Sequence, residues 1–204
     1  MDDNKTDIND NSEVSEAVRK YGQHDKNGRY TYSDYESWDD DKRYELIDGI
    51  AYLMSAPTTA HQETLTGLFL QFANFLIGKT CKVFVAPYDV CLSGKGDNDN
   101  TVVQPDIFIN CDKSKIDAKR CNGAPDLVIE ILSPSTARKD RFVKLNKYLE
   151  AGVREFWLVD PEYKGVTVHI LENGKYIISA YEDHETIEVS ILEGCKIKLP
   201  EVFV

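Results

Sequence analysis

The chain has no apolar run approaching the ~20 residues that a membrane span requires. Its acidic amino terminus lacks the basic and apolar regions of a secretory signal. It also lacks any Cys-x-x-Cys pair, and its five cysteines, Cys81, Cys91, Cys111, Cys121 and Cys195, are odd in number. That argues against a zinc knuckle and against a complete disulfide framework. Reduced thiols in a cytoplasmic protein are the expectation. Positive charge is scarce too: 24 Lys and Arg stand against 35 Asp and Glu, a net of −11. Nucleic-acid binders normally carry a basic patch, so nonspecific affinity should be weak unless cations cluster beside a site. Two ligand loops are excluded by spacing. Gly94-Lys95-Gly96 does not match a phosphate-binding P-loop, and no Glu follows Asp97 and Asp99 where a calcium loop needs one.

What remains is a soluble globular composition, 42% hydrophobic and 29% charged over 204 residues, which fits one domain with a substantial core. Residues 1–28 hold seven acids and four bases and few large apolar residues. They read as a disordered acidic tail ahead of a single domain over 29–204. Tyr30 to Trp38 suggests a short helix with Ser33 as its cap. Tyr44 to Met54 reads as a hairpin turning at Asp48-Gly49. Leu65, Leu68, Phe69, Phe72, Phe75 and Leu76 recur at helical spacing over Thr58 to Ile77. Thr58 or Thr59 can cap that helix and Gly78 can end it. Cys81 to Leu92 reads as a strand, Ala137 to Ala151 as a helix ended by Gly152, and Arg154 to Val159 as an apolar strand. Val166 to Ile170, Lys175 to Tyr181 and Thr186 to Ile191 form a terminal meander. The fold class is α/β, a mixed β-sheet flanked by α-helices.

The chemistry gathers between Gln104 and Lys144. Val103 to Ile109 and Pro125 to Leu132 are short, Val- and Ile-rich runs, hence strands. Each carries a carboxylate that an ordinary core strand would avoid, because burying an unpaired charge is costly. Asp126, Val128, Glu130 and Leu132 share one strand face. Asp126 and Glu130 are roughly 13 Å apart along the strand and cannot share an ion, whereas neighbouring strands about 4.8 Å apart would let Asp106 and Glu130 do so. Such a pair suits Mg²⁺ (or Mn²⁺), which takes one or two carboxylates and keeps several waters. The competing reading is plain: Pro-Asp is a common strand entry, and a strand Glu can face solvent.

Pro105-Asp106, a spacer and Glu130 resemble the Pro-Asp…(Asp/Glu)-x-Lys core of restriction-endonuclease-like nucleases. A longer ordered series is similar to one branch, the Uma-type endonucleases. It comprises Tyr44-Glu45-Leu46-Ile47-Asp48-Gly49, His61-Gln62, Pro87-Tyr88-Asp89-Val90, Gln104-Pro105-Asp106 and Ala124 to Ser135. Asp140, Lys144, Tyr148, Ala151-Gly152-Val153 and Glu155 to Pro161 complete it. The resemblance implies a restriction-endonuclease-like fold and Mg²⁺-dependent hydrolysis of phosphodiester bonds in DNA or RNA. Asp106, Glu130 and the backbone carbonyl of Ile131 would hold the ion, and Glu45 could add an acid. His61, in the first turn of its helix, becomes a candidate neighbour of the substrate, although a lone His is more often structural. This sequence departs from the superfamily pattern at Leu132, where a Lys belongs. Lys139, Lys144 and Lys147 are near in sequence; Lys144 and Lys147 both flank the packed side of their helix, and the Asp-x-x-x-Lys-x-x-x-Tyr pattern selects Lys144, with Asp140 steadying it. Lys113, Lys115, Lys119 and Arg120 form the densest basic run, either a solvated face or a phosphate contact. A noncatalytic binding module retaining the fold is the alternative function, and a homodimer is left open.

Overall fold

The computed structural model describes residues 29–39, 41–133 and 139–203, without the side chains of residues 139–141. The expected tail over 1–28 therefore lies outside the described residues. Two sheets carry the chain. Strands β1 (Tyr44–Ile47), β2 (Ile50–Leu53), β4 (Asp89–Cys91), β5 (Val102–Val103) and β7 (Arg120–Asn122) form the first, in the order β2-β1-β5-β4-β7. The second has six strands in the order β11-β10-β9-β8-β6-β3. These are β3 (Lys82–Val85), β6 (Ile107–Asn110), β8 (Leu127–Ile131), β9 (Glu155–Asp160), β10 (Gly165–Glu172) and β11 (Lys175–Glu182). It is mixed: β6 and β8 run antiparallel, β8 and β9 parallel. A small hairpin of β12 (Thr186–Glu188) and β13 (Lys196–Lys198) closes the chain.

Two expected strands turn out to be pairs. Cys81 to Leu92 bends at Ala86-Pro87, so β3 and β4 enter different sheets. Val102 to Asn110 is interrupted by Gln104-Pro105-Asp106, and β5 and β6 likewise part company. Pro cannot donate to a ladder, so a proline in each run marks the point where the chain crosses between sheets. Gln104 to Asp106 thus sits at the seam, not within a continuous strand.

The helices follow the sequence pattern with two differences. Helix α1 (Tyr32–Glu36) is capped by Thr31, whose backbone N–H and hydroxyl both donate to Asp34, so the cap lies two residues before Ser33. Helix α2 (Thr59–Leu76) begins as expected, with Thr58 Oγ1 accepting from the amide of His61 at 3.2 Å. The third helix opens as a π-helix over Lys139–Lys144 and continues as α3 (Leu145–Ala151). Gly152, at φ 84°, ends it in the left-handed conformation that a glycine adopts most cheaply.

Each face of the six-stranded sheet has its own core. Leu127, Ile129 and Ile131 face α2, packing with Leu68, Phe72 and Trp157. Val128 and Leu132 face the other way, with Tyr148, Phe156 and Leu158. The alternation is that of the sequence, and it sends Glu130 to the side of α3. A third cluster of Tyr30, Tyr32, Tyr44, Leu46 and Val102, with Trp38 against it, underlies the first sheet.

The cysteines correct one expectation. Cys81 and Cys111 form a disulfide, while Cys91, Cys121 and Cys195 are free and buried. The register explains the pairing. Lys82 lies opposite Asn110 in the β3–β6 ladder, so the next residue outward on each strand places the two thiols face to face. Sequence spacing carries no trace of that register. Among the described residues, no helix is long and apolar enough to cross a membrane.

Candidate active site

The β6–β8 register extends by one residue beyond the Ile107–Ile129 pair to set Asp106 opposite Glu130. These two acids line a cleft of about 60 Å³ together with Glu45, His61, Gln104, Ile131, Ser133 and Lys144. Five segments contribute: the β1–β2 hairpin, the start of α2, the seam at Gln104-Pro105-Asp106, the end of β8, and the third helix.

Lys144 stands between two carboxylates. Its Nζ lies 2.6 Å from Glu45 Oε1 and 3.0 Å from Glu130 Oε1, and all three side chains are at most 4% exposed. One turn on, the hydroxyl of Tyr148 donates to the same Glu130 oxygen at 2.5 Å. Burial, followed by the charge of Glu130, raises the Tyr148 phenol well above its ordinary value, so it remains a donor. The four-residue spacing of Lys144 and Tyr148 puts both heads on one face. Lys147 points elsewhere, pairing with Asp48 at 2.9 Å and Glu150 at 3.0 Å. Leu132 packs into the core beside Tyr148. An ammonium thus stands next to Glu130, carried by the neighbouring helix and not by position 132. The side chain of Asp140, expected to steady Lys144, lies outside the described residues.

Asp106 is held from two sides. The backbone amide of Ile131 donates to Oδ2 at 2.8 Å, and His61 Nε2 lies 3.1 Å from the same oxygen. Asp126, at the other end of β8, does a different task. Its Oδ2 accepts from the amide of Cys111 at 2.8 Å, and its Oδ1 meets Arg154 at 3.2 Å.

Behind the cleft lies a buried amide clamp that sequence reading did not assign. Gln104 Oε1 accepts from Arg43 Nε at 3.0 Å and Nη2 at 2.7 Å. Its Nε2 donates to Asp89 Oδ1 at 2.8 Å and to the Tyr35 hydroxyl at 3.1 Å. Its backbone amide donates to Glu45 Oε1 at 3.2 Å. Desolvation raises the Asp89 carboxyl above its ordinary range. Asp89 and Gln104 stand in the branch motifs quoted above, which was the available signal; Arg43 carried none. The basic run is mostly spent within the protein. Lys115 Nζ donates to the Ala124 carbonyl at 2.7 Å, Lys119 pairs with Glu36, and Arg120 pairs with Asp97 at 2.7 Å and lies over the Tyr32 ring.

Among the described residues, no three His, Cys, Asp or Glu side chains gather closely enough to hold a metal by themselves. The donor set still fits a hard divalent cation, because Mg²⁺ binds through one or two carboxylates and retains its waters. Both contacts to Asp106 fall on Oδ2, so Oδ1 is the oxygen left for a ligand.

A mixed sheet flanked by helices, with paired acids where two antiparallel strands meet, defines the restriction-endonuclease-like class. The chain belongs to the Uma2 family, described as "Putative restriction endonuclease", whose pattern matches residues 32–200. A protein of Synechocystis sp. (strain ATCC 27184 / PCC 6803 / Kazusa), described as "Uncharacterized protein slr1290", is 25% identical over 160 residues, covering 76% of this chain and 82% of that protein. In fold the chain is similar to a crystal structure described as "a putative nuclease belonging to DUF820 from Anabaena variabilis ATCC 29413". The TM-score is 0.67 at 18% identity, over 85% of this chain and 97% of the other.

Proposed function

We propose that the chain is a Mg²⁺- or Mn²⁺-dependent nuclease that hydrolyses phosphodiester bonds of DNA or RNA. The observation that carries this reading is the convergence on one cleft of Asp106 and Glu130 with a lysine ammonium 3.0 Å from Glu130. Asp106 and Glu130, aided by the Ile131 carbonyl, would hold the ion. Bound there, it would supply polarisation of the scissile phosphate and a lowered pKa for the attacking water. The chain's own residues account for the rest. Lys144 sets a fixed positive charge beside the reacting centre, where a developing negative charge is stabilised most. Tyr148 and Glu45 hold Lys144 and Glu130 in register. The Gln104 clamp fixes the seam that carries both Asp106 and, through a backbone amide, Glu45.

The chain's acidity argues for a substrate met at the cleft and not for broad electrostatic capture, since the densest basic run is engaged internally. The test is cleavage of a panel of single- and double-stranded DNA and RNA with Mg²⁺, Mn²⁺, Ca²⁺ or chelator. Cleavage should need Mg²⁺ or Mn²⁺, vanish with chelator, and be poor with Ca²⁺, which is larger and less strict in geometry. Full activity in excess chelator would overturn the two-acid site. Binding of nucleic acid without cleavage under any metal would favour a noncatalytic module.

A further inference from the structure

His61 touches the candidate site without belonging to the acid–lysine set. Its placement is built. Thr58 caps the helix by accepting from the His61 amide, which fixes the first turn of an 18-residue helix over the cleft. The ring is 8% exposed and its Nε2 lies 3.1 Å from Asp106 Oδ2. The same Oδ2 accepts from the Ile131 amide, so Nε2 is the donor in this contact. The other ring nitrogen, Nδ1, is buried and has no hydrogen-bond partner among the described residues. An unpartnered buried polar atom destabilises a fold, and an apolar side chain would fill the same space without it. Packing alone therefore does not account for an imidazole here. The contact that Nε2 makes does.

That contact has a geometric consequence. The Ile131 amide reaches Asp106 Oδ2 from the strand side and His61 from the helix side. Two donors on one oxygen define the rotation of the carboxylate, which one donor would leave loose. We infer that His61 is a positioning residue whose Nε2–H, together with the Ile131 amide, holds Asp106 with Oδ1 presented for a divalent cation. The inference rests on the reading of Asp106 as a cation ligand. Outer contacts of this kind typically change metal affinity by about 10–100-fold when removed.

The experiment is a Mn²⁺ titration of the full chain, followed by calorimetry and by the electron paramagnetic resonance signal of free Mn²⁺. His61→Gln places a side-chain N–H near the Nε2 position, while His61→Leu fills the space and donates nothing. His61→Asn keeps the amide but is too short to reach. We expect His61→Leu and His61→Asn to weaken Mn²⁺ binding by about 10–100-fold, and His61→Gln to stay within about threefold of wild type. Thermal melting checks that each variant folds, and His61→Asn carries the comparison should His61→Leu not fold. Equal affinities in wild type, His61→Leu and His61→Asn would overturn the inference while leaving the two-acid site standing. Loss in His61→Gln as deep as in His61→Leu would overturn it too, because the imidazole itself would then be required. Wild type binding no Mn²⁺ would overturn both this inference and the reading beneath it.

Discussion

Replacing Lys144 tests catalysis and architecture at once. Its ammonium is the partner of two buried carboxylates, at 2.6 Å from Glu45 and 3.0 Å from Glu130. Lys144→Ala leaves both acids in a site that solvent barely reaches. Removing one member of a buried ion pair costs about 3–5 kcal/mol, because the remaining charge is uncompensated. For a domain of this size 1 kcal/mol moves the melting temperature by roughly 2–4 °C, so a fall of about 6–20 °C follows. Turnover should fall independently by about a hundredfold or more, as when one donor to developing charge is removed. The two effects separate in a double variant. Lys144→Met with Glu45→Gln removes one of the stranded charges, so it should recover much of the stability without recovering cleavage. The assay is single-turnover cleavage at saturating Mg²⁺, well below each variant's melting temperature. Near-normal cleavage by Lys144→Ala would refute the catalytic role. An unchanged melting temperature would refute the buried-triad energetics. Cleavage restored in the double variant would show that Lys144 matters only through folding.

Other outcomes follow from the same geometry. Glu130→Ala should abolish metal-dependent cleavage. Asp126→Ala should chiefly destabilise, by about 1–3 kcal/mol, since the Cys111 amide loses its acceptor; inactivity at an unchanged melting temperature would contradict this. Lys147→Ala, which loses only partly exposed pairs with Asp48 and Glu150, should cleave like wild type in the same single-turnover assay. Burial lowers the His169 pKa below its ordinary 6.5, against a weaker opposing hydrogen bond to the Phe156 carbonyl. The folded state therefore holds this imidazole neutral while the unfolded chain protonates it. Its contribution to stability is complete above about pH 6.5 and is lost as pH falls through the lower folded pKa. Denaturant melts between pH 5 and 7 should show that loss, reduced in His169→Phe.

The sequence disclosed most where side-chain periodicity and chemistry coincide. On β8 the alternation of apolar residues assigned the faces, and the costly Glu130 marked the side that lines the cleft. The separation of Asp126 from Glu130 followed from strand geometry alone. Tertiary geometry was less legible. In the run Val102 to Asn110 the proline signals an interruption, but only the packing of two sheets decides that Gln104-Pro105-Asp106 is a crossing between them. The Cys81–Cys111 bond depends on a register between strands about thirty residues apart. Lys144 and Lys147 both flank the packed face of their helix, and helical periodicity did not choose between them; the family pattern did. The π-helical turn that ends at Lys144 has no signature in the residue types.

The Gln104 clamp offers a sharper test of that seam, because its amide is used in both senses. The oxygen faces the Arg43 guanidinium and the nitrogen faces the Asp89 carboxylate. Gln104→Glu keeps the acceptor toward Arg43 but turns an oxygen toward Asp89. The side chain keeps its volume, so any loss arises from charge and from the vanished donor, not from a cavity. Asp89 is already raised by desolvation, and a second carboxylate beside it raises the pair further. The folded variant then binds more protons than the unfolded chain across the range just above the usual carboxylate pKa values. Its stability should therefore rise relative to wild type as pH falls. We expect a deficit of about 1–3 kcal/mol at pH 8, the cost of a buried contact left unsatisfied, narrowing toward pH 5. Adding Asp89→Asn, whose amide can donate to the new carboxylate, should remove most of the deficit at pH 8. Because the Gln104 backbone amide holds Glu45, cleavage by the single variant should fall further than its stability alone explains. A deficit independent of pH, or one that Asp89→Asn does not relieve, would show that the seam is held by something other than this clamp.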